Sequence, residues 1–215
     1  MRTLSPFLNL RIFMYLILTA LFSSFVFASN FVPKTFSGRY EESQKSLISG
    51  KIKIAIGSID YKYPSNFRLD VLSEPKITFV TNKNTTWYYT PAVVSSEQGQ
   101  VTISKSGSLP ITRFFDSVQN GLEGSKIFTM TWEGQNLKLV FNPQAQKDFS
   151  LKEVVLHSID NTKSTASIKN FNLITLIYTS GSTTNIKFTE FKEGVLFTQN
   201  HFVFNVPPKT KQTKN

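Results

Sequence analysis

From Phe36 onward, apolar and polar residues alternate in short runs at near-regular spacing. The first set comprises Phe36 to Glu42, Gly50 to Ile56 (GKIKIAI), Phe67 to Ser73 (FRLDVLS), Ile77 to Thr81, Thr85 to Thr90 and Gln100 to Lys105. A second set continues with Ile127 to Glu133, Leu137 to Asn142, Leu151 to Ser158, Phe171 to Thr179, Thr184 to Phe191 and His201 to Val206. A period of two puts alternate side chains on opposite faces of a strand, and polar turns between the runs predict antiparallel strands joined as a meander. About 11–12 such strands in one chain predict a large, curved sheet or barrel.

One stretch changes period. Over Ile111 to Glu123 (ITRFFDSVQNGLE), Ile111, Phe114, Phe115, Val118 and Leu122 fall on one helical face, opened by Leu109-Pro110. An amphipathic helix in the middle of a strand series predicts a sheet with a helix laid against its concave side. A second short helical turn is read over Pro143 to Asp148. On the strand from Phe67, the side chains of Phe67, Leu69 and Val71 share a face while Arg68 and Asp70 point to the other. That stripe fits an ordinary packed core or one wall of an apolar cavity, and alternation alone does not choose between them.

The N-terminus has a different pattern. Arg2 and Arg11 precede an apolar run of about 16 residues, Ile12 to Phe27, closed by Val26-Phe27-Ala28. The run is shorter than the ~20 residues of a membrane span and carries a small-residue cleavage pattern, which predicts a signal peptide over residues 1–28, removed after Ala28. Residues 29–208 form one domain on this reading. The tail 209–215, with Lys209, Lys211 and Lys214, is polar and basic enough to be disordered.

Composition narrows the chemistry. The chain has 20 Phe and no Cys, which removes disulfides, thiolate metal sites, cysteine nucleophiles and a lipid-bearing cysteine. The formal charge of +10 falls to +8 when Arg2 and Arg11 leave. Its cations are spread singly among strands, so nucleic acid is not a predicted partner; anionic head groups or acidic protein surfaces could meet such charge, and plain solubility accounts for it more simply. His157 and His201 stand in predicted strands without a carboxylate at triad or ligand spacing and read as packing residues. Phosphate loops, nucleophile elbows and metalloprotease helices are absent. Asp60, Asp70 and Asp116 read as single polar positions. The sequence thus predicts a binding protein rather than an enzyme, with no metal and no cofactor.

Several segments, in order, resemble the periplasmic outer-membrane lipoprotein carrier family, LolA. They are Phe36-Ser37-Gly38-Arg39-Tyr40; Gly50-Lys51-Ile52-Lys53 leading through Tyr61-Lys62-Tyr63 to Pro64-Ser65-Asn66-Phe67-Arg68; and Asn82-Lys83-Asn84-Thr85-Thr86-Trp87-Tyr88-Tyr89-Thr90-Pro91. Later ones are Leu137 to Pro143 (LKLVFNP), Gly181 to Phe188 (GSTTNIKF) and Phe202-Val203-Phe204-Asn205-Val206-Pro207-Pro208. The resemblance implies a mainly β fold, an incomplete antiparallel β-barrel with a short helical lid over a hydrophobic cavity. It implies a periplasmic carrier, in a Gram-negative bacterium, that moves lipoproteins from the inner to the outer membrane with their acyl chains in that cavity. A lipid- or lipoprotein-sensing module of the same fold is the alternative. The implied partners are triacylated lipoproteins, an inner-membrane lipoprotein-releasing ABC transporter and an outer-membrane receptor, with the carrier itself a monomer.

By the same resemblance, Phe67, Leu69, Val71, Phe79, Trp87 and Tyr89 line the cavity, and Ile111, Phe114, Phe115 and Val118 form the underside of the lid. Two positions depart from the family pattern. Tyr63 stands where the family usually has an arginine that ties the lid, and Asn82-Lys83 replaces an Asp-Gly turn. Cleavage after Ala28 would also leave only Ser29 to Thr35 ahead of Phe36, where the family has a first lid helix.

Overall fold

The computed structural model describes residues 30–45, 49–94, 96–105, 110–160 and 163–214; the signal-peptide reading of residues 1–28 lies outside them. Twelve strands form a single sheet among the described residues. In chain order they are β1 (Thr35–Lys45), β2 (Ile52–Lys62), β3 (Asn66–Val71), β4 (Ile77–Thr81), β5 (Thr85–Thr90), β6 (Gln100–Lys105), β7 (Phe128–Glu133), β8 (Asn136–Phe141), β9 (Leu151–Ser158), β10 (Phe171–Tyr178), β11 (Thr183–Glu193) and β12 (Lys211–Lys214). Helix α1 (Pro110–Val118) lies between β6 and β7, and α2 (Pro143–Phe149) between β8 and β9.

The spatial order is β12-β6-β5-β4-β3-β2-β1-β11-β10-β9-β8-β7. From β1, near the middle, hairpins carry the chain outward to β6; it then re-enters at the far edge with β7 and works inward until β11 pairs with β1. The β6–β7 connection must therefore span the sheet, and α1 is part of that connection. Topology, not only amphipathicity, sends this helix across the concave face. The sheet remains open, with β7 and β12 at its edges, so the predicted incomplete barrel under a helical lid is the observed architecture.

Residues directly opposite one another in a ladder share a face, and the register follows the alternation. Phe36, Tyr40, Ile59, Tyr61, Phe67 and Phe79 turn inward from β1 to β4; Leu137, Leu139, Val154, Leu156, Ile174 and Leu176 do so from β8 to β10. Together they make one continuous apolar floor. Gly57, on β2 opposite Tyr40, is needed for a close approach: a Cβ there would stand 2.4 Å from the Asp70 carbonyl oxygen and 2.6 Å from the Tyr40 hydroxyl.

Helix α1 is shorter than the predicted Ile111–Glu123. It stops at Val118 because Asn120-Gly121 follows, with Gly121 at φ 128° and its N–H bonded to the Val118 carbonyl; Leu122 is buried all the same. Helix α2 starts where Asn142 accepts a capping bond from the Ala145 N–H at 2.8 Å with Pro143 in the first turn, and ends at Ser150 in the left-handed region.

The C-terminal segment differs from expectation twice. His201 to Val206, predicted as a strand, is an irregular strap on the convex face. Asn82 donates to the Phe202 carbonyl, Phe204 packs on Tyr89 with ring centres 5.1 Å apart, and Phe202 of the strap is buried, as are Val80 and Val101 on the convex face of the sheet. The alternation of Phe202, Phe204 and Val206 arises because alternate side chains face the sheet, while the backbone makes local turns and Pro207-Pro208 has no N–H to offer a ladder. Beyond the strap, residues 211–214 of the tail predicted to be disordered form β12, parallel to β6. All four side chains are exposed, so the pairing is made by backbone alone, which a hydropathy pattern does not register.

Candidate functional site

Between α1 and the sheet is a cavity of about 180 Å3. Its floor comes from Ile59 of β2, Phe67 and Leu69 of β3, Ile174 and Leu176 of β10, and Ile186 and Phe188 of β11. Phe114 and Phe115 roof it from α1. These two side chains diverge: Phe115 packs on Phe36, Tyr61 and Phe67 at ring separations of 5.7, 5.5 and 6.2 Å, and Phe114 on Phe141 of β8 at 6.0 Å. One short helix thereby bridges both halves of the sheet over the cavity.

The wall is polar in one sector, formed by Tyr40 and Glu42 of β1, Tyr178 of β10 and Thr184 of β11. Tyr40 is 4% exposed and its hydroxyl has no hydrogen-bond partner. Burial, with the Glu42 and Asp70 carboxyls nearby, pushes its pKa up, so it stays a proton donor. Burial likewise raises the pKa of Glu42 and of Tyr178. An apolar pocket with a few convergent hydrogen-bonding groups suits an amphiphile whose chain is held by burial and whose polar junction is held by directed bonds.

The lid is tied at both flanks. Asp116 on α1 accepts hydrogen bonds from the Tyr61 hydroxyl at 2.6 Å, the Ser65 N–H at 3.2 Å and the Ser65 hydroxyl at 3.0 Å. Burial, together with the bond to Asp116, pushes the Tyr61 pKa up, so this hydroxyl also remains a donor. On the other flank, Arg113 donates to the Asp148 carbonyl of α2 and lies over the Phe149 ring, 5.5 Å from its centre. The tie assigned by resemblance to Tyr63 is thus made by its neighbours. Tyr63 itself is 37% exposed, and its backbone N–H bonds to the Lys34 carbonyl.

Of the other predicted residues, Phe67, Leu69, Phe114 and Phe115 come together around the cavity. Val118 is buried in the core beside it, and Phe79 packs behind Phe67 at 6.3 Å. Val71 shares their face but sits at the end of β3, opposite Gly57 and Ile77, beyond the lining. Trp87 and Tyr89 are corrected. They pair with Val80 and Thr78, so they face the convex side, and Tyr88, opposite Phe79, is the residue of that strand on the concave side. Ile111 falls in α1, and its side chain lies outside the described residues.

Tyr40, Glu42, Ile174, Leu176, Ile186 and Phe188 were missed although each stands in a predicted strand. They reach the cavity only because β11 returns to pair with β1 across about 150 residues, and a sequence pattern does not say which distant strands are neighbours. Away from the cavity, on the convex face, His201 meets Asp60 at 2.7 Å, with Phe197 stacked on the imidazole at 4.6 Å. The pair fastens the strap to β2.

No protein-family model matches the chain, and no curated protein matches it either. Among solved structures, a LolA superfamily protein from Nitrosomonas europaea is similar at 11% identity and a TM-score of 0.41, over 80% of this chain and 91% of that one. A putative outer membrane lipoprotein-sorting protein domain from Vibrio parahaemolyticus is similar at 9% identity and a TM-score of 0.36, over 79% of this chain and 89% of that one.

Proposed function

We propose that this protein is a periplasmic carrier that binds the acyl chains of lipoproteins between α1 and the concave sheet and moves them from the inner to the outer membrane. The observation that carries the reading is the apolar cavity roofed by Phe114 and Phe115, which joins the sequence resemblance to a physical need. Three acyl chains cannot cross water exposed, and each buried methylene contributes about 0.8 kcal/mol. A ligand pocket usually has a volume of ~300–1,000 Å3, whereas this cavity has about 180 Å3, near the size of an engineered core cavity that takes one benzene. The described conformation is therefore the closed one, and loading requires α1 to move. On this reading the protein works as a monomer, accepts cargo from an ABC transporter and passes it to an outer-membrane receptor.

The test is affinity capture of the protein from the periplasm, followed by mass spectrometry of what it holds. N-terminally acylated proteins, lost in a Phe114→Glu variant, are the expected cargo. Protein recovered empty, or loaded only with phospholipid, would overturn the reading.

A further inference from the structure

Strand β2 is longer than its neighbour β3. The β2–β3 ladder begins at Gly57, opposite Val71, so Ile52–Ala55 are bonded to β1 alone and this half of β2 is an open edge, while β1 stays paired with β11 as far as Gln44. On its convex face three isoleucines stand in a row, Ile52, Ile54 and Ile56, exposed by 68, 59 and 51%. Leu72, whose N–H bonds to the Ile56 carbonyl, is exposed by 56% beside them. Four large apolar side chains on one face, along about 13 Å of strand, form a contiguous patch of the kind that marks an interaction surface.

The charges around the patch indicate what covers it. Lys45 lies directly across from Ile52 on the same face, whereas Lys51 and Lys53 alternate with the isoleucines and point to the other face; all three are exposed, none forms an ion pair with a described residue, and the sequence has no acidic residue from 43 to 59. The acidic group on this face is Glu41, opposite Ile56, and its other cross-strand neighbour is Lys187. An apolar ridge on a hairpin end that carries three lysines and no carboxylate complements an anionic bilayer surface: the isoleucines enter the boundary between head groups and acyl chains with Lys45 beside them, and Lys51 and Lys53, on the other face of a single thin hairpin, stay near the ~8 Å over which the surface potential acts. We infer that the β1–β2 hairpin docks this protein on an anionic lipid surface. The opposite face of the same hairpin carries Glu42 and Ala55, and Glu42 lines the cavity, so the docking face and the cavity are on opposite sides of one hairpin. The inference does not depend on what the cavity holds.

The absence of cysteine allows a clean test in the full chain. Ile54→Cys and, as a control on the convex face of β8, Val140→Cys are each labelled with an environment-sensitive nitrobenzoxadiazole dye. Each is mixed with vesicles of phosphatidylglycerol and phosphatidylethanolamine, or with vesicles of phosphatidylcholine alone. The expected result is a several-fold, blue-shifted rise in emission at position 54 only, and only with the anionic vesicles. A lysine near an anionic surface strengthens binding about five-fold, so the K45Q/K51Q/K53Q variant should lose partitioning on the order of a hundred-fold. No change at position 54, an equal change at position 140, an equal response to phosphatidylcholine, or partitioning unaffected by the lysine changes would each overturn the inference. So would a solution mass showing that a second copy covers the hairpin.

Discussion

Removing the Asp116 carboxyl tests whether α1 is a separable lid. In Asp116→Ala three donors lose their acceptor. Ser65 lies on a partly exposed turn where water can replace the carboxyl. The Tyr61 hydroxyl belongs to a residue with 0% exposure, and stranding a buried donor costs about 1–3 kcal/mol, with a further ~1 kcal/mol for the rest of the site. A loss near 3 kcal/mol shifts the closed-to-open ratio of α1 by on the order of a hundred-fold. The assay is amide hydrogen exchange, comparing α1 with β9 and β10. Exchange in α1 should accelerate by about that factor while the two strands keep their protection. Tyr61→Phe in the same background should recover part of the loss, because no hydroxyl is then left unpaired. If α1 and the strands lose protection together, or α1 does not respond, the lid does not move independently and the reasoning is wrong.

Phe114→Glu should abolish binding of a fluorescent acyl probe while far-ultraviolet circular dichroism keeps its β signal, since the charge would enter the cavity without a partner; wild-type probe binding would remove Phe114 from the roof. Glu42→Gln tests the polar wall: the pKa of Glu42 is raised by burial, so the folded state holds its proton more tightly than the unfolded chain does. Stability from this group is therefore lost as pH rises from the ordinary carboxylate range through the folded pKa. The variant should melt higher than wild type at neutral pH and show a flatter pH dependence in that window; thermal melts across pH 4 to 8 check both. Gly57→Ala should cost about 1–3 kcal/mol or more in denaturant unfolding, because the new Cβ meets the Asp70 carbonyl oxygen at 2.4 Å and backbone cannot rotate aside as a side chain can.

The strands and the lid were legible because they depend on local periodicity. Phe67 and Leu69 on a strand face, and Phe114 and Phe115 on a helix face, follow from spacing alone. Whatever depends on pairing was not legible. Trp87 and Tyr89 were assigned to the cavity by resemblance, but β5 meets β4 in the register that turns Tyr88 inward; a one-residue difference moves every side chain of a strand to the other face. The lid tie shows the same limit. Asp116 reads as an isolated carboxylate in sequence, because Tyr61 and Ser65 are 55 and 51 residues away. Position 63, to which the resemblance assigns the tie, lies between these two donors, so the contact to α1 is made from the same turn by a different pair of partners.

The energetics of α1 itself favour a lid that opens. The orphaned buried polar atoms among the described residues are the Tyr40 hydroxyl, Thr112 Oγ1, Arg113 Nε and Gln119 Nε2. Thr112 and Arg113 lie in α1, Gln119 directly follows it, and Tyr40 is in the cavity wall below. Each unpaired buried group costs about 1–3 kcal/mol, so the described state carries a penalty concentrated on the element that moves in the proposed reading, offset by Phe115 in its aromatic cluster and by the Asp116 and Arg113 ties. Opening would give Thr112, Arg113 and Gln119 access to water and leave the Phe114 and Phe115 rings exposed. Acyl chains filling the space beneath would cover those rings again, which is the differential interaction a ligand needs in order to shift a conformational equilibrium. On the proposed reading the small cavity and the ties at its flanks belong to one balance, in which ligand would replace the aromatic contacts α1 gives up when it lifts.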